Sequence, residues 1–336
     1  MTGQGYQDFT VEVALRSSVV TPFQSDTIFG HICWAIEHLG MNGGVEAFLQ
    51  LYDNTPPLLV SAGFPKGFVP RPVLRPGTRK ELKEILDGGE SRAANAHLIK
   101  TIKKRELISR DSFAGLMQNA PLTPSKLLVA LKKDEDNIKK RLIENTQLSH
   151  VQHNSINRLG RISDTGLYTQ EETFFKGDAG KFEIYIKTNF FSLENIRDIF
   201  AFIGENGYGR DKSTGKGHFK VEGILEGILR DAVLPEVSAP NAFMTLSSYV
   251  PGADDPTIGY YNLIHKFGKL GGDFAGGSKI PFKKPLVMLA PGSVFFDEGF
   301  DKERFYGSLL SAVHGDDGIR HYAYAFPIGI RIDKEE

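Results

Sequence analysis

In residues 9–20, FTVEVALRSSVV, apolar Phe9, Val11, Val13 and Leu15 fall at every second position, the spacing of a strand with one buried face. The following TPFQSDTIFGHICWAIEHLG breaks at Pro22, offers Ser25 and Asp26 as caps, repeats apolar residues at Ile28, Ile32, Ile36 and Leu39, and stops at Gly40. This pattern predicts an amphipathic helix. The pair recurs later: KFEIYIKTNFF (181–191) alternates, and SLENIRDIFAFIGENG (192–207) puts Leu193, Ile196, Ile199, Phe200 and Ile203 on one helical face before Gly207. A further strand begins in PPLLVSAGFP, and HFKVEGI resumes a strand after the second helix. The resulting order, β-α-β-β-α-β, is that of a ferredoxin-like domain, with a glycine-rich loop before its last strand.

Between the second and third strands lies an insertion near residues 75–145. Residues 66–110 carry more Lys and Arg than Asp and Glu, which reads either as a solvated insertion of charged helices or as a nucleic-acid contact. TPSKLLVALKKDEDNIKKRLIENT (123–146) has helical spacing around mixed charge and predicts a surface helix pair. HVQHNSINRLGRISDTGLYTQEETFF (150–175) is polar, broken by glycine and then aromatic, as a long hairpin reaching out from a sheet would be. LPEVSAPN (234–241) reads as a linker, and the remainder of the chain is strand-rich. The expected domains are therefore 1–233, with the insertion, and a smaller 234–336. The glycine run KLGGDFAGGSKIPFKKP (269–285) fits a flexible hairpin or a second contact surface.

At 336 residues the chain exceeds one ordinary hydrophobic core, and its 24 Phe supply material for two. A formal net charge of -1 excludes a protein that is basic throughout, so any polyanion site must be a local patch. The single cysteine, Cys33, leaves no internal disulfide and no cysteine-based zinc site, as expected of a reduced compartment. The sequence shows neither a signal-peptide pattern nor a membrane-length apolar run, and the expected location is cytoplasmic.

The glycine-rich stretch GENGYGRDKSTGKGHFKVEG (204–223) fails as a P-loop: five residues separate Gly209 from Gly215, and the context is helix then strand. It fails as a dinucleotide fingerprint as well, because no helix opens behind it. Glycines leave backbone N–H groups accessible and reach positive φ, so such a loop can wrap the phosphates of an extended strand. Arg210, Lys212, Lys216 and Lys220 add positive charge beside Asp211, and Ser213 and Thr214 add hydroxyl donors. Tyr208 and Phe219 are candidate stacking surfaces for bases. The plain alternative is a mobile surface loop with solvated lysines.

The motifs SDTIFGHICW, GRDKSTGKGHF and HNSINR with its following GLYTQEETFF resemble the RAMP superfamily of CRISPR-associated proteins. Within it they resemble the subunit of the type III-A Csm effector complex that caps the 5′ end of the CRISPR RNA. The resemblance implies an α+β chain of two ferredoxin-like, RRM-like domains that binds the repeat-derived 5′ tag, without catalysis or cofactor. It implies two neighbours, a large polymerase-like and nuclease subunit and a repeated backbone RAMP subunit. Carried over by position, Gly207, Tyr208, Gly209, Arg210, Lys212, Ser213, Thr214, Gly215, Lys216 and Gly217 form the RNA-binding loop. Asn154, Arg158 and Arg161 in the hairpin lie near the tag or its junction with the guide. Ser25, with Asp26, opens the first helix as its cap, as an RNA-proximal group, or as both.

Relatives in the same superfamily cut precursor RNA with a histidine-centred acid/base site, so an endoribonuclease is the alternative reading. His31 sits in an apolar helix, where packing or pairing is the ordinary role of such a residue. His150 and His153 lack the cysteines or acids that would complete a metal site. Asp254–Asp255 and Asp316–Asp317 lie in turn-like sequence, and no G-x-S-x-G elbow occurs. No metal is expected.

Overall fold

A computed structural model describes residues 5–78, 80–81, 99–119, 121–154, 166–227, 237–271 and 281–333. The first part of the chain runs β1 (Gln7–Leu15), α1 (Ser25–His38), α2 (Gly44–Gln50), β2 (Leu58–Pro65), β3 (Phe68–Pro70), β4 (Leu107–Ser109), α3 (Arg110–Gln118) and α4 (Pro124–Arg141). It continues with β5 (Thr146–Asn154), β6 (Leu167–Phe175), β7 (Lys181–Thr188), α5 (Leu193–Asn206) and β8 (Phe219–Glu226). One antiparallel sheet orders its strands β2-β7-β1-β8, placing second, third, first and fourth side by side. With α1 and α5 as crossovers this is the ferredoxin-like arrangement the sequence order predicts.

Each element forms for a local reason. In β1, Phe9, Val11 and Val13 are buried at period two. α1 buries Ile28, Phe29, Ile32, Ala35 and Ile36, a stripe at helical spacing. Gly40, at φ +62°, ends it in a Schellman turn, with Met41 N–H donating to the Ile36 carbonyl at 3.0 Å. α5 opens with a reciprocal cap: Ser192 Oγ accepts from Asn195 N–H, and Asn195 Oδ1 accepts from Ser192 N–H, each at 3.2 Å. α4 starts at Thr123, whose hydroxyl accepts from Lys126 N–H, with Pro124 in the first turn where a missing N–H costs nothing. Residues 123–146, predicted as a helix pair, hold one α-helix, α4; its partner is α3, from the preceding residues, and the two are tied by the buried Asp134 carboxylate, which accepts from the hydroxyl of Ser109 at 2.7 Å. Residues 82–98 of the insertion lie outside the described residues.

The rest of the chain contributes β9 (Ala242–Thr245), β10 (Gly259–Tyr260), β11 (Leu263–Lys266), β12 (Leu286–Leu289), β13 (Val294–Phe296), β14 (Leu309–Leu310), β15 (His321–Tyr322) and β16 (Pro327–Ile330). Its main sheet is ordered β10-β13-β9-β16, antiparallel throughout. That is again second, third, first, fourth. The strand order of a ferredoxin-like sheet is therefore repeated, but the crossovers, residues 246–258 and 297–326, contain no helix. β9 is buried on both faces, which explains its unalternating AFMT sequence. One face, with Ala242 and Met244, joins the hydrophobic core of the first sheet; the other, with Phe243, packs on Tyr306 with ring centroids 4.1 Å apart. A single apolar cluster thus runs from Val11 and Ile32 to Ile328 and Ile330. The expected boundary at 233/234 lies outside the described residues.

Candidate nucleic-acid interface

The strands β1, β2, β7 and β8 meet at one end of the first sheet, where Leu15 and Pro65 close and Lys181 and Phe219 open. Three features project there: the 16–24 connection, the β5–β6 hairpin and the loop 207–217. The hairpin is regular, pairing Thr146 with Phe175 through Asn154 with Leu167. The predicted hairpin is therefore present, and residues 155–165 between its strands, which include Arg158 and Arg161, lie outside the described residues. Asn154 is exposed at the last described pair.

The glycine loop is pinned at its base. Tyr208 N–H donates to the Gly217 carbonyl at 2.9 Å, and Gly217 N–H to the Ser18 carbonyl at 2.8 Å. Gly209 N–H donates to His31 Nε2 at 2.9 Å, and Arg210 N–H to Thr21 Oγ1 at 3.0 Å. Gly209 and Gly217 have positive φ, and a Cβ there would sit 2.6 Å from Thr21 Cβ and 2.0 Å from the Tyr208 carbonyl oxygen. These two glycines permit close packing of main chain, and no other residue fits.

Tyr208 is the strut of this base. Its ring is 2% exposed, packs on Phe23 at 4.6 Å and His31 at 5.0 Å, and its hydroxyl accepts from Gln24 N–H at 3.0 Å and donates to the Pro22 carbonyl at 2.9 Å. Phe219 is equally enclosed. Neither ring presents a face to a base, so the stacking expectation is corrected: apolar burial against Phe23 outweighs exposure for both.

Lys216 is also committed inward. Its ammonium meets the Glu172 carboxylate of β6 at 2.6 Å, and Ser18 Oγ donates to the same oxygen at 2.9 Å. Burial works against the Glu172 carboxylate, yet these hydrogen bonds hold its pKa below the ordinary value. The expectation of Lys216 as a free cation is thus corrected to a partly buried ion pair that fastens loop to hairpin. The neighbouring Gln170 amide bonds the Asp211 carboxylate and makes a second fastening.

What remains outward is the tip. Arg210, Lys212, Ser213, Thr214 and Gly215 are exposed, and Arg210 keeps only a loose 3.8 Å contact with Asp211. Asp211, at φ +59°, starts a 3-10 turn (Lys212–Thr214); the N–H groups of Asp211, Lys212 and Ser213 find no acceptor among the described residues. Arg16, Lys176 and Lys220 are exposed near the same end of the sheet. The arrangement offers an anion backbone donors and flexible cations on a rigid footing.

Ser25 is corrected as well. It is fully buried, and its hydroxyl accepts from Ser248 N–H at 3.0 Å, joining α1 to the second unit. The helix cap position is Gln24, whose side chain makes no capping bond and accepts from Lys266 instead. Asp26 pairs with Lys266 at 2.6 Å. His31 is half-buried, and desolvation, aided by Lys212, lowers its pKa to about 4, so it is neutral and accepts through Nε2. His150 and His153 are three apart in a strand and point to opposite faces, which prevents chelation; His153 instead stacks on Tyr168 at 5.3 Å. Asp255 organises a turn by accepting from Gly252 and Gly307 N–H at 2.7 and 2.6 Å. Among the described residues no cluster of three metal-ligating side chains occurs, and no helix is long and apolar enough to cross a membrane.

Sequence reading missed Thr21, Gln170 and Glu172 as partners of the loop. Only their chain distance from the loop hid them, since each supplies an ordinary acceptor or donor.

The fold is an α+β arrangement: a ferredoxin-like sheet, a second sheet in the same strand order, and a glycine loop before the last strand of the first. No protein-family model matches the sequence, and no curated protein matches it. Solved structures do. The chain is similar to one in the crystal structure of a Csm3-Csm4 subcomplex of the type III-A CRISPR-Cas interference complex, with TM-score 0.58, 17% identity, and 96% and 99% of the two chains covered. It is similar to one in the crystal structure of a Csm1-Csm4 cassette in complex with cA4, with TM-score 0.55, 16% identity, and 98% and 100% covered. The shared property at this identity is the fold, over nearly the whole of both chains. It is the fold of the Csm subunit that the sequence motifs resemble.

Proposed function

We propose that this chain is a non-catalytic RNA-binding subunit of a type III-A CRISPR effector complex, holding the 5′ tag of the CRISPR RNA with the tip of the glycine loop. One observation carries the reading: a loop locked at its base by His31, Thr21, Ser18 and Glu172 leaves Arg210, Lys212 and three amides without an acceptor among the described residues facing solvent. A mobile loop would hold none of this geometry. Rigid presentation of donors to a flexible polyanion lowers the ordering cost of binding. Asn154 lies at the end of the hairpin that packs on the loop, where a strand leaving the tip would pass, with Arg158 and Arg161 next in sequence.

The partners follow from the same reading. A large polymerase-like and nuclease subunit and a backbone RAMP subunit would flank the chain, in keeping with the Csm1-Csm4 and Csm3-Csm4 assemblies, each of which contains a chain of similar fold. The division at 233/234 would then separate an RNA-holding unit from a smaller one that braces α1 through Ser25 and Asp26.

The test is to incubate the purified chain with repeat-derived RNA bearing the tag and with a scrambled tag. Tag-dependent retention with intact RNA is expected. Metal-independent cutting at one site, abolished by a histidine substitution, would establish the endoribonuclease instead.

A further inference from the structure

The opposite corner of the same sheet end holds a cleft of about 400 Å³, lined by Lys66, Gly67, Ser109, Arg110, Asp111, Asn137, Arg141, Asp178 and Lys181. It lies between the β2–β3 turn, the first turn of α3, the end of α4 and the start of β7. Lys66 N–H donates to the Lys181 carbonyl at 2.8 Å, so the cleft is anchored to the sheet edge that opens beside the glycine loop three strands away. Neighbouring strands lie about 4.8 Å apart, which puts the two features on the order of 14 Å from one another across the sheet end.

Its four cations differ in commitment. Lys66 pairs with Glu12 at 2.7 Å, and Arg110 with the buried Glu183 at 3.1 Å. Lys181 pairs with Asp178 at 2.8 Å, but that carboxylate is 78% exposed, and such pairs are weak enough for a stronger anion to displace. Arg141 has no carboxylate partner among the described residues. Its guanidinium lies over the Phe68 ring at 4.9 Å and above Gly67, and one nitrogen donates to the Lys66 carbonyl at 3.0 Å. Stacking on one face and a single anchoring bond fix the plane of the fork while leaving the other donors to the cleft. Asn137, one helical turn earlier on α4, lines the cleft beside it. A planar fork with a nearby ammonium and amide matches the tetrahedral oxygens of a phosphate.

We infer that this cleft is a second phosphate-binding site, which takes a phosphodiester of the RNA strand whose tag lies on the glycine loop. The inference rests on the RNA-binding reading above. The cleft is nucleotide-sized, and Asp111 and Asp178 on its rim disfavour a densely charged free ion relative to a strand held elsewhere as well.

The experiment measures the affinity of the full chain for single-stranded tagged RNA against salt concentration, with inorganic pyrophosphate and poly-glutamate as competing probes. Arg141→Gln and Lys181→Gln each reduce affinity on the order of fivefold and flatten the log–log salt slope, by about 0.7 when the cleft's one phosphate contact is lost. Lys181→Gln touches only an exposed pair, so its unfolding temperature stays that of the wild type. Asn137→Asp weakens binding without altering the fold. Arg210→Ala with Lys212→Ala adds its own loss, since the two sites hold different phosphates. Wild-type affinity in the cleft variants, with binding lost in the loop variant, overturns the second site and leaves the proposed function standing. Wild-type affinity in both sets overturns the RNA reading itself. A silent Lys181→Gln beside a destabilised Arg141→Gln marks a structural arginine and also overturns the site. Competition by poly-glutamate as strong as by RNA of equal charge overturns it in favour of an acidic protein segment, and displacement by pyrophosphate as effective as by RNA overturns the strand in favour of a free phosphate.

Discussion

The N–H of Gly209 donates to Nε2 of His31 across 2.9 Å, which requires the imidazole to be neutral with its proton on Nδ1. A half-buried residue of α1 thereby holds a loop 178 positions away. The pKa of His31, lowered by burial and by Lys212 from 6.5 to about 4, has a consequence for stability. The unfolded chain binds the proton more readily than the folded one, so this contribution is complete above about pH 6.5 and is lost as pH falls through about 4. Its size is about 3 kcal/mol at most, and His321, also lowered by burial to about 4, acts in the same direction. Urea midpoints measured from pH 7.5 to 4 should fall, with a smaller fall in His31→Gln, whose amide oxygen can accept from Gly209 without titrating.

The loop glycines should divide into two kinds. A Cβ at Gly217 would lie 2.0 Å from the Tyr208 carbonyl, whereas Gly215, at φ +85°, has open space around it. Gly215→Ala should therefore cost only the left-handed conformation, about 1 kcal/mol. Gly217→Ala should cost several times more and loosen the base of the loop. Denaturation curves and hydrogen exchange at the Gly209 amide measure both.

Removing one partner of the Lys216–Glu172 pair should hurt more than removing both. Lys216→Met leaves a 1%-exposed carboxylate without its cation and should destabilise by about 3 kcal/mol. Adding Glu172→Gln should recover part of that loss. A double-mutant cycle on thermal unfolding checks the sign, and a loss in the double variant equal to the sum of the two single losses would show that the pair is not coupled.

Ser25→Ala should separate folding from binding. The lost bond to Ser248 N–H leaves a buried donor unsatisfied, at about 1–3 kcal/mol, while RNA affinity corrected for the folded fraction stays unchanged.

Much of the first unit was legible because each element carries its own signal: period two in β1, the stripe from Ile28 to Ile36, the apolar face from Leu193 to Ile203 and the stop at Gly40. The loop was legible as a loop for the same reason. Its internal division was not, because composition shows that Lys216 is basic and Tyr208 aromatic but not that Glu172 and Phe23 wait for them. Ser25 misled by position: a serine opening a helix ordinarily caps it, and only the crossover after β9, through Ser248, supplied a competing donor. The helix-free crossovers of the second sheet were hidden too, since the expectation of a complete second ferredoxin-like unit came from resemblance, not from any periodicity in residues 246–258 or 297–326.

The central claim is that the exposed tip of the glycine loop, and not its pinned base, grips the RNA. Affinity for tagged RNA measured against salt in the wild type and in Arg210→Ala with Lys212→Ala tests it most directly. The account predicts an unchanged unfolding temperature, weaker binding, and a salt slope shallower by about 1.4, two phosphate contacts at about 0.7 each. An unchanged slope and affinity in that variant would contradict it.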